Sequence, residues 1–427
     1  MQTDRVSRVA VPELPRLRGA RVSLGRMFEA ESSNFFMLLG VTLFMVAFGL
    51  LMVLSSSYVD AHSRGQSWFA SFFSQAVYAI IGLPLMFLLS RFTVRWWARL
   101  SWLALGFSWV LQALVVLTPL GRVSGGNRNW LAIGPIAFQP SELIKLALLV
   151  WLAAFFHRRE RHLDRFSTLI PALLASAVSL MLVLLGGDLG TTMIMSALVL
   201  GCLLVAGIRI RHLVVILVIV AGIVVLFVLT SSNRLRRIGS FLHPSTGVDL
   251  GTGYQVQQGM WGMANGGIFG VGLGNSQSKW HWLPASSTDF IFAITAEELG
   301  LIGALLVLAL FVFLAIALVR IVRASDTAFG RVFTGGVLVW LMTEAIVNIG
   351  VVVGLFPVLG VPLPLFSSGG TALISTLASI GVVLSFARTR PLGGEHPADP
   401  RAVASRRQAQ GAASGTARAS ARQPAVR

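Results

Sequence analysis

Ten long apolar runs constrain this chain more than any other feature of its sequence. They lie at about 36–54, 72–90, 98–119, 139–156, 167–186, 190–207, 213–230, 290–319, 332–355 and 370–387. A helix needs roughly 20 residues to cross the hydrocarbon core of a bilayer, and inside it every backbone polar group must be satisfied within the protein. The reading is therefore an all-α polytopic membrane protein with about ten transmembrane helices. Composition agrees: 55% of the 427 residues are hydrophobic, 12% are charged and the mean hydropathy is +0.78.

A net charge of +17 invites a nucleic-acid reading, but the arginines are not gathered into one patch interleaved with aromatics. They follow topology. With the N-terminus inside, the short inner loops hold Arg91, Arg95, Arg99, Arg158, Arg159, Arg161, Arg165, Arg209, Arg211, Arg320, Arg323 and Arg331. The short outer loops hold only Arg64, Arg122 and Arg128. This asymmetry is the positive-inside pattern, and it predicts two cytoplasmic termini. The four basic residues of the long outer loop 231–289 leave the imbalance in place.

The expected organisation is a cytoplasmic segment 1–34, a membrane domain 35–388 containing that outer loop, and a tail 389–427. Residues 1–34 lack a short apolar core with a small-residue cleavage site, so no removable signal peptide is expected there. The tail, rich in Ala, Arg, Gly, Pro and Ser, is expected to be disordered and basic, either touching anionic lipid or a cytoplasmic partner or simply solvated. Cys202, the single cysteine, sits inside a span and reads as a small buried hydrophobe. In the long loop, Tyr254, Trp261, Phe269, Trp280 and Trp282 are mixed with glycines, which predicts short helices and tight turns against the membrane. The run GGIFGVGLG (266–274) lacks the strand that a nucleotide loop would follow. Turn formation and an anion-binding backbone both remain open for it.

Ionisable groups within spans are costly and point to function by default. The fourth span opens AFQPSELIK, with Pro140 suited to a first turn and Glu142 and Lys145 three apart on one face. An ion pair near the interface and a lysine meeting a phosphate are both open readings. The eighth span opens SSTDF: residues 286–288 offer N-cap side chains, and Asp289 falls at the outer end, near the positive pole of the helix. Glu297 lies about 12 Å further along at 1.5 Å per residue, so the two acids are not one tight pair. Glu297 and Glu298, if they face other helices, need partners. The ninth span carries Glu344 and Asn348 and runs into NIGVVVGLFPVLGVPLPLFSSGG, an irregular outer segment whose Ser367, Ser368, Gly369 and Gly370 supply hydroxyls and backbone donors. Irregular backbone at membrane depth implies a buried or wet cavity.

These blocks resemble the SEDS family, the FtsW and RodA type of bacterial shape and division proteins. The resemblance covers about 36–388 and rests on GGNRNWLAIGPIAFQPSELIK, GGDLGTT, the stretch from GYQVQQGMWG to STDFIFAITAEELG, and NIGVVVGLFPVLGVPLPLFSSGG. It implies an inverting peptidoglycan glycosyltransferase that polymerises lipid II, a disaccharide-pentapeptide on a polyprenyl diphosphate. It also implies an essential aspartate in a Thr-Asp-Phe-Ile-Phe run, which falls here on Asp289 as general base or as ligand of a divalent cation such as Mg or Mn. Substrate contacts are then expected from Lys145, Glu142, Arg128, Lys279, the arginines 234–237, Glu297, Glu298, Ser367, Ser368, Gly369 and Gly370. The implied partners are a class B penicillin-binding transpeptidase and other divisome membrane proteins, at the division septum. The GGNRNW block and the extended basic termini resemble the actinobacterial FtsW branch more than RodA. Ala285 and Ser287 stand where relatives carry Glu and His, Gly186-Gly187 where Gln-Pro often stands, Ala296 where Gly is usual, Glu344 where Gln is common, and Asn129 where Arg often precedes Trp. A lipid II flippase and a noncatalytic divisome scaffold are the alternative functions.

Overall fold

A computed structural model describes residues 32–63, 69–124, 127–133, 136–163, 165–230, 232–242, 252–280 and 282–388. Residues 1–31 of the expected segment 1–34, and the whole tail 389–427, fall outside the described residues. In chain order the elements are α1 (Ser33–Ser63), α2 (Ala70–Leu89), α3 (Val94–Leu117), β1 (Gly121–Ser124), β2 (Asn127–Ile133), β3 (Ile136–Phe138), α4 (Pro140–Arg158), α5 (Phe166–Leu185), α6 (Leu189–Val205), α7 (Ile210–Leu229), α8 (Ser232–Leu242), α9 (Thr252–Gly266), α10 (Ile291–Ala324), α11 (Ala328–Val352) and α12 (Gly370–Ala387). Each of the ten apolar runs falls on one helix. Among the described residues nine of these are long and apolar enough to span a membrane, and α6, with 17 residues, is the tenth and shorter one. The protein is a multi-pass membrane protein.

Its helices pack in the pairs α2–α12, α3–α4, α6–α11, α10–α11 and α1–α10. At the centre is α4, whose faces are buried almost all round from Pro140 to Phe156. An all-buried helix can carry polar residues only if neighbours satisfy them. At the other extreme is α7, which fully buries only Ile216 and exposes most of its Val, Ile and Leu side chains. A helix apolar on every side with so few protein neighbours is solvated by lipid.

The long loop carries two helices, α8 and α9, in agreement with the short helices expected. A small antiparallel sheet in the order β1-β2-β3 joins α3 to α4, a feature not foreseen. Arg128 closes it: its guanidinium bonds the Thr118 and Gly121 carbonyls, and its amide donates to Gly186 O at 2.7 Å.

The run 266–274 proves to be a packing device. Backbone amides of Val271 and Gly272 donate to the carbonyls of Glu297 and Glu298, each at 3.0 Å, and Leu301 N donates back to Gly267 O at 2.9 Å. This exchange requires α10 to open at Gly300, which adopts φ 68° and ψ −163° within the helix. A Cβ on Gly300 would stand 2.3 Å from Ile268 O, and one on Gly270 (φ 81°) would stand 2.2 Å from Glu298 O. Glycine is needed at both positions for conformation and for close backbone approach.

Candidate active site

Asp289 lies just before α10, in a turn closed by main-chain atoms. Ala285, at φ 58°, presents its carbonyl to the amides of Thr288 and Phe290, both at 3.1 Å. The residues 286–288 do not cap α10, because the helix begins beyond them: Phe290 is the N-cap and makes no side-chain cap bond. The end of α11 and the connection from it to α12 grip the turn instead. Ser368 N donates to Ser287 O at 2.9 Å, Ser367 Oγ to Thr288 O at 2.6 Å, and Asn348 Nδ2 to Asp289 O at 2.8 Å. Asn348 also ties down Val361 O at 2.7 Å, and Ser367 Oγ accepts from Leu363 N at 2.8 Å.

Three successive carbonyls are therefore held from one side. Ser367 and Ser368, expected at the substrate, position Asp289 through these bonds. Gly369 and Gly370 stand at the start of α12, where a Cβ on Gly370 would meet the Tyr78 ring at 2.7 Å. Because the atoms gripped are main-chain carbonyls, these bonds do not depend on the side chains at Ala285 and Ser287.

No donor among the described residues bonds the half-buried Asp289 carboxylate itself. Burial raises its pKa to about 6, with Arg237 pulling it down and Asp188 pushing it up. Asp188 is itself raised by burial, opposed by two bonds from Thr191 at 2.9 and 2.8 Å that cap α6. It was missed as a site residue, although GGDLGTT has the acid-before-helix pattern of an N-cap.

Beside Asp289 a cavity of about 540 Å³ opens between α6, α7, α8 and the segment after α11. Leu189, Met193, Val224, Val228 and Phe356 make its walls apolar, and Arg234 and Arg237 supply its charge. Arg234 is oriented by Gly187 O and Phe227 O, each at 3.1 Å, and lies over the Phe227 ring. Arg237 reaches Val358 O at 3.4 Å. The side chain of Arg236 lies outside the described residues. Asp289 adjoins this cavity without lining it: a Cβ on Gly360, next to the lining residue Leu359, would stand 3.8 Å from Asp289 Oδ2.

The other expected contacts lie elsewhere. Lys145 is 1% exposed and sits between Glu142 at 2.8 Å and Glu344 at 3.2 Å, 4.7 Å from the Trp340 ring. Glu142 also accepts from Ser375 at 3.0 Å, and Glu344 from Trp340 at 2.8 Å. Of the two readings of the fourth span, the geometry gives the ion pair, enlarged to a triad. Lys279 is buried against Glu298 at 3.0 Å and the carbonyls of Gly274 and Ser55 at 2.6 and 3.3 Å. Glu298 accepts in addition from Ser55 Oγ at 2.5 Å. Glu297 takes Ser276 Oγ at 2.6 Å, Gln277 N at 2.9 Å and Asn265 Nδ2 at 3.3 Å. These acids hold the long loop on α10. Arg128 holds the sheet. In this arrangement none of Lys145, Lys279, Glu297, Glu298 and Arg128 lines the cavity beside Asp289.

A smaller cavity of about 220 Å³, between Trp261 and Trp282 with Glu297 at its base, has no cation in its lining and does not suit a phosphate. As for a divalent cation, no three His, Cys, Asp or Glu side chains converge among the described residues. Among the described residues Asp289 is the carboxylate beside the cavity that such a cation would meet.

Comparison with known proteins agrees with this architecture. The model of the FtsW/RodA/SpoVE cell cycle proteins matches residues 35–391. The chain is 35% identical to the probable peptidoglycan glycosyltransferase FtsW of Mycobacterium tuberculosis over 372 residues, 87% of this chain and 71% of that protein. It is 35% identical to stage V sporulation protein E of Bacillus subtilis, over 85% of this chain and 99% of the relative. Among solved structures, a chain of a peptidoglycan synthase complex superposes with a TM-score of 0.71 at 31% identity, covering 85% of this chain and 99% of its own. The rod shape determining protein RodA of Thermus thermophilus superposes with a TM-score of 0.62 at 29% identity, over 84% and 98% of the two chains. With a matching model over most of its length and relatives of this similarity, the chain belongs to the FtsW/RodA/SpoVE family of cell cycle proteins.

Proposed function

We propose that Asp289 is the general base of a lipid II polymerase and that Arg234 and Arg237 receive the diphosphate of the lipid-linked donor. The chain is a peptidoglycan glycosyltransferase of the cell-division type. The observation that carries the assignment of residues is the pairing of an unbonded carboxylate with an adjoining cavity whose walls are apolar and whose cations are two arginines. A polyprenyl diphosphate has that same division: its tail suits the walls toward α7, and its phosphates suit two guanidinium groups.

In the reaction, the acceptor's GlcNAc 4-hydroxyl oxygen attacks C1 of the donor MurNAc and its proton passes to Asp289. The C1–O bond to the diphosphate breaks with inversion, and the departing anion keeps the electron pair beside Arg234 and Arg237. A base in this role contributes about 10²–10⁴ in rate, and charge stabilisation at the leaving group adds to it. The Asp289 face is the outer one, with both termini cytoplasmic. A class B penicillin-binding protein is the partner that would crosslink the product at the division septum; the solved relative from a peptidoglycan synthase complex supports such a partner.

The test uses purified protein and fluorescent lipid II. Wild type is expected to give glycan ladders, and Asp289→Asn, whose main-chain bonds are preserved, to lose them by about 10²–10⁴ in rate. Ladders at the normal rate from the variant would reject the base. Leaflet transfer without ladders from wild type would favour a flippase, and neither activity a scaffold.

A further inference from the structure

At the end of the molecule remote from Asp289 there is another cavity, of about 370 Å³, between α3, α4 and α5. The 19 residues of α4 rise about 28 Å from Pro140, near the sheet, to Arg158, so this cavity lies across the membrane from the active site. Its lining is graded along the helix axes. Trp102 and Trp151 lie about 10–12 Å inside the ends of α3 and α4, with Pro171 of α5 beside them. Phe155 is one turn nearer the end, and Arg158 and Arg159 form the rim.

The aromatic wall is ordered. Trp102, 57% exposed, meets Trp151 edge-on at 4.9 Å, and Trp151 stacks on Phe155 at 5.2 Å. Arg159 lies 4.2 Å from the Phe155 ring, and Arg158 donates to Ala98 O at 2.7 Å. Among the described residues neither arginine has a carboxylate within ion-pair distance, and the adjacent acid, Glu160, is taken by Arg331 at 2.7 Å.

We propose that this groove holds an anionic phospholipid, its phosphate on Arg158 and Arg159 and one acyl chain along Trp102, Trp151 and Pro171. The polyprenyl substrate is met at the opposite face, so this site is separate from the catalytic one. Two adjacent cations with no ion-pairing carboxylate among the described residues favour an anionic headgroup over a neutral one, and basic pockets between spanning helices suit such headgroups. Guanidinium groups match phosphate oxygens in geometry as well as charge. The exposed indole below them would be left against nothing by a free phosphate, whereas an acyl chain covers it.

The experiment is native mass spectrometry of the full chain titrated with phosphatidylglycerol or phosphatidylcholine. The wild type is expected to bind phosphatidylglycerol first and more tightly. Arg158→Gln/Arg159→Gln is expected to weaken that first site by about 30-fold, at about one kcal/mol per arginine and 1.4 kcal/mol per tenfold. Arg320→Gln/Arg323→Gln, which removes the same charge from the same end of α10, is expected to leave it unchanged. Equal losses in both variants, equal affinity for the two lipids, or displacement by inorganic phosphate at matching concentration would each overturn the proposal.

A second readout serves if the arginine variant does not fold. Phosphatidylglycerol brominated on its acyl chain is expected to quench wild-type fluorescence more than that of Trp102→Phe, and equal quenching would overturn the proposal.

Discussion

A carboxyl held at about 6 is poised to accept a proton at neutral pH, where it is ionised and still basic enough to act. Polymerisation should therefore rise with pH through an acid limb near 6, which a rate profile would reveal. Since Arg237 lowers this value, Arg237→Gln should move the limb to higher pH while raising the KM for lipid II. A residue that served binding alone would change KM without moving the limb. The same carboxyl bears on stability. Its folded value lies above the ordinary 3.8, so the stability it contributes is present below about 4 and lost as pH rises through 6. Asp289→Asn should accordingly be more stable than wild type at neutral pH, by on the order of 2–3 kcal/mol, with the difference vanishing near pH 4. Such a gain in stability with loss of activity is what a group strained for function produces.

At the scale of elements, the joint between the long loop and α10 holds the segment 266–279 against the helix. Lys279 and Glu298 are both buried at this joint, with Ser55 of α1 bonded to the same acid. Removing one partner leaves an uncompensated buried charge, which typically costs about 3–5 kcal/mol, whereas neutralising both can be nearly neutral. Lys279→Met and Glu298→Gln should each unfold the loop at lower temperature, read as faster proteolysis between α9 and α10. The double variant should recover most of the loss. If the single changes were additive, the pair would not be coupled and the joint would rest on its backbone bonds alone. Gly270→Ala tests those bonds: its Cβ would collide with Glu298 O and should loosen the loop with no change of charge.

Across the whole molecule, the buried triad of Lys145, Glu142 and Glu344 links α4 to α11, and Ser375 brings in α12. The Asp289 site hangs on these same helices, through Asn348 at the end of α11 and the serines before α12. Orientation can be tested because Cys202, the only cysteine, is fully buried and gives little background. A cysteine placed at Gly267 should react with an impermeant maleimide on intact cells, and one at Asp326 only after lysis. The reverse pattern would invert the topology and put Asp289 on the wrong side for a lipid-linked sugar.

What the sequence by itself determined was the set of ten spans, the charge asymmetry, and an acid before the eighth span. Each follows from local physics: hydrocarbon thickness, the positive-inside pattern and the cost of charge in lipid. The expectation that Asp289 is essential rests on the resemblance of its neighbourhood to a family. Only the tertiary structure decided which polar groups are structural and which face the cavity. Lys145 and Glu344 are 199 positions apart, and Ser55 and Glu298 are 243 apart. No periodicity along the chain reports such pairs. A buried lysine is silent about whether it meets a carboxylate or a phosphate until the helices opposite it are known, because its charge must be matched by whatever the fold brings within about 4 Å.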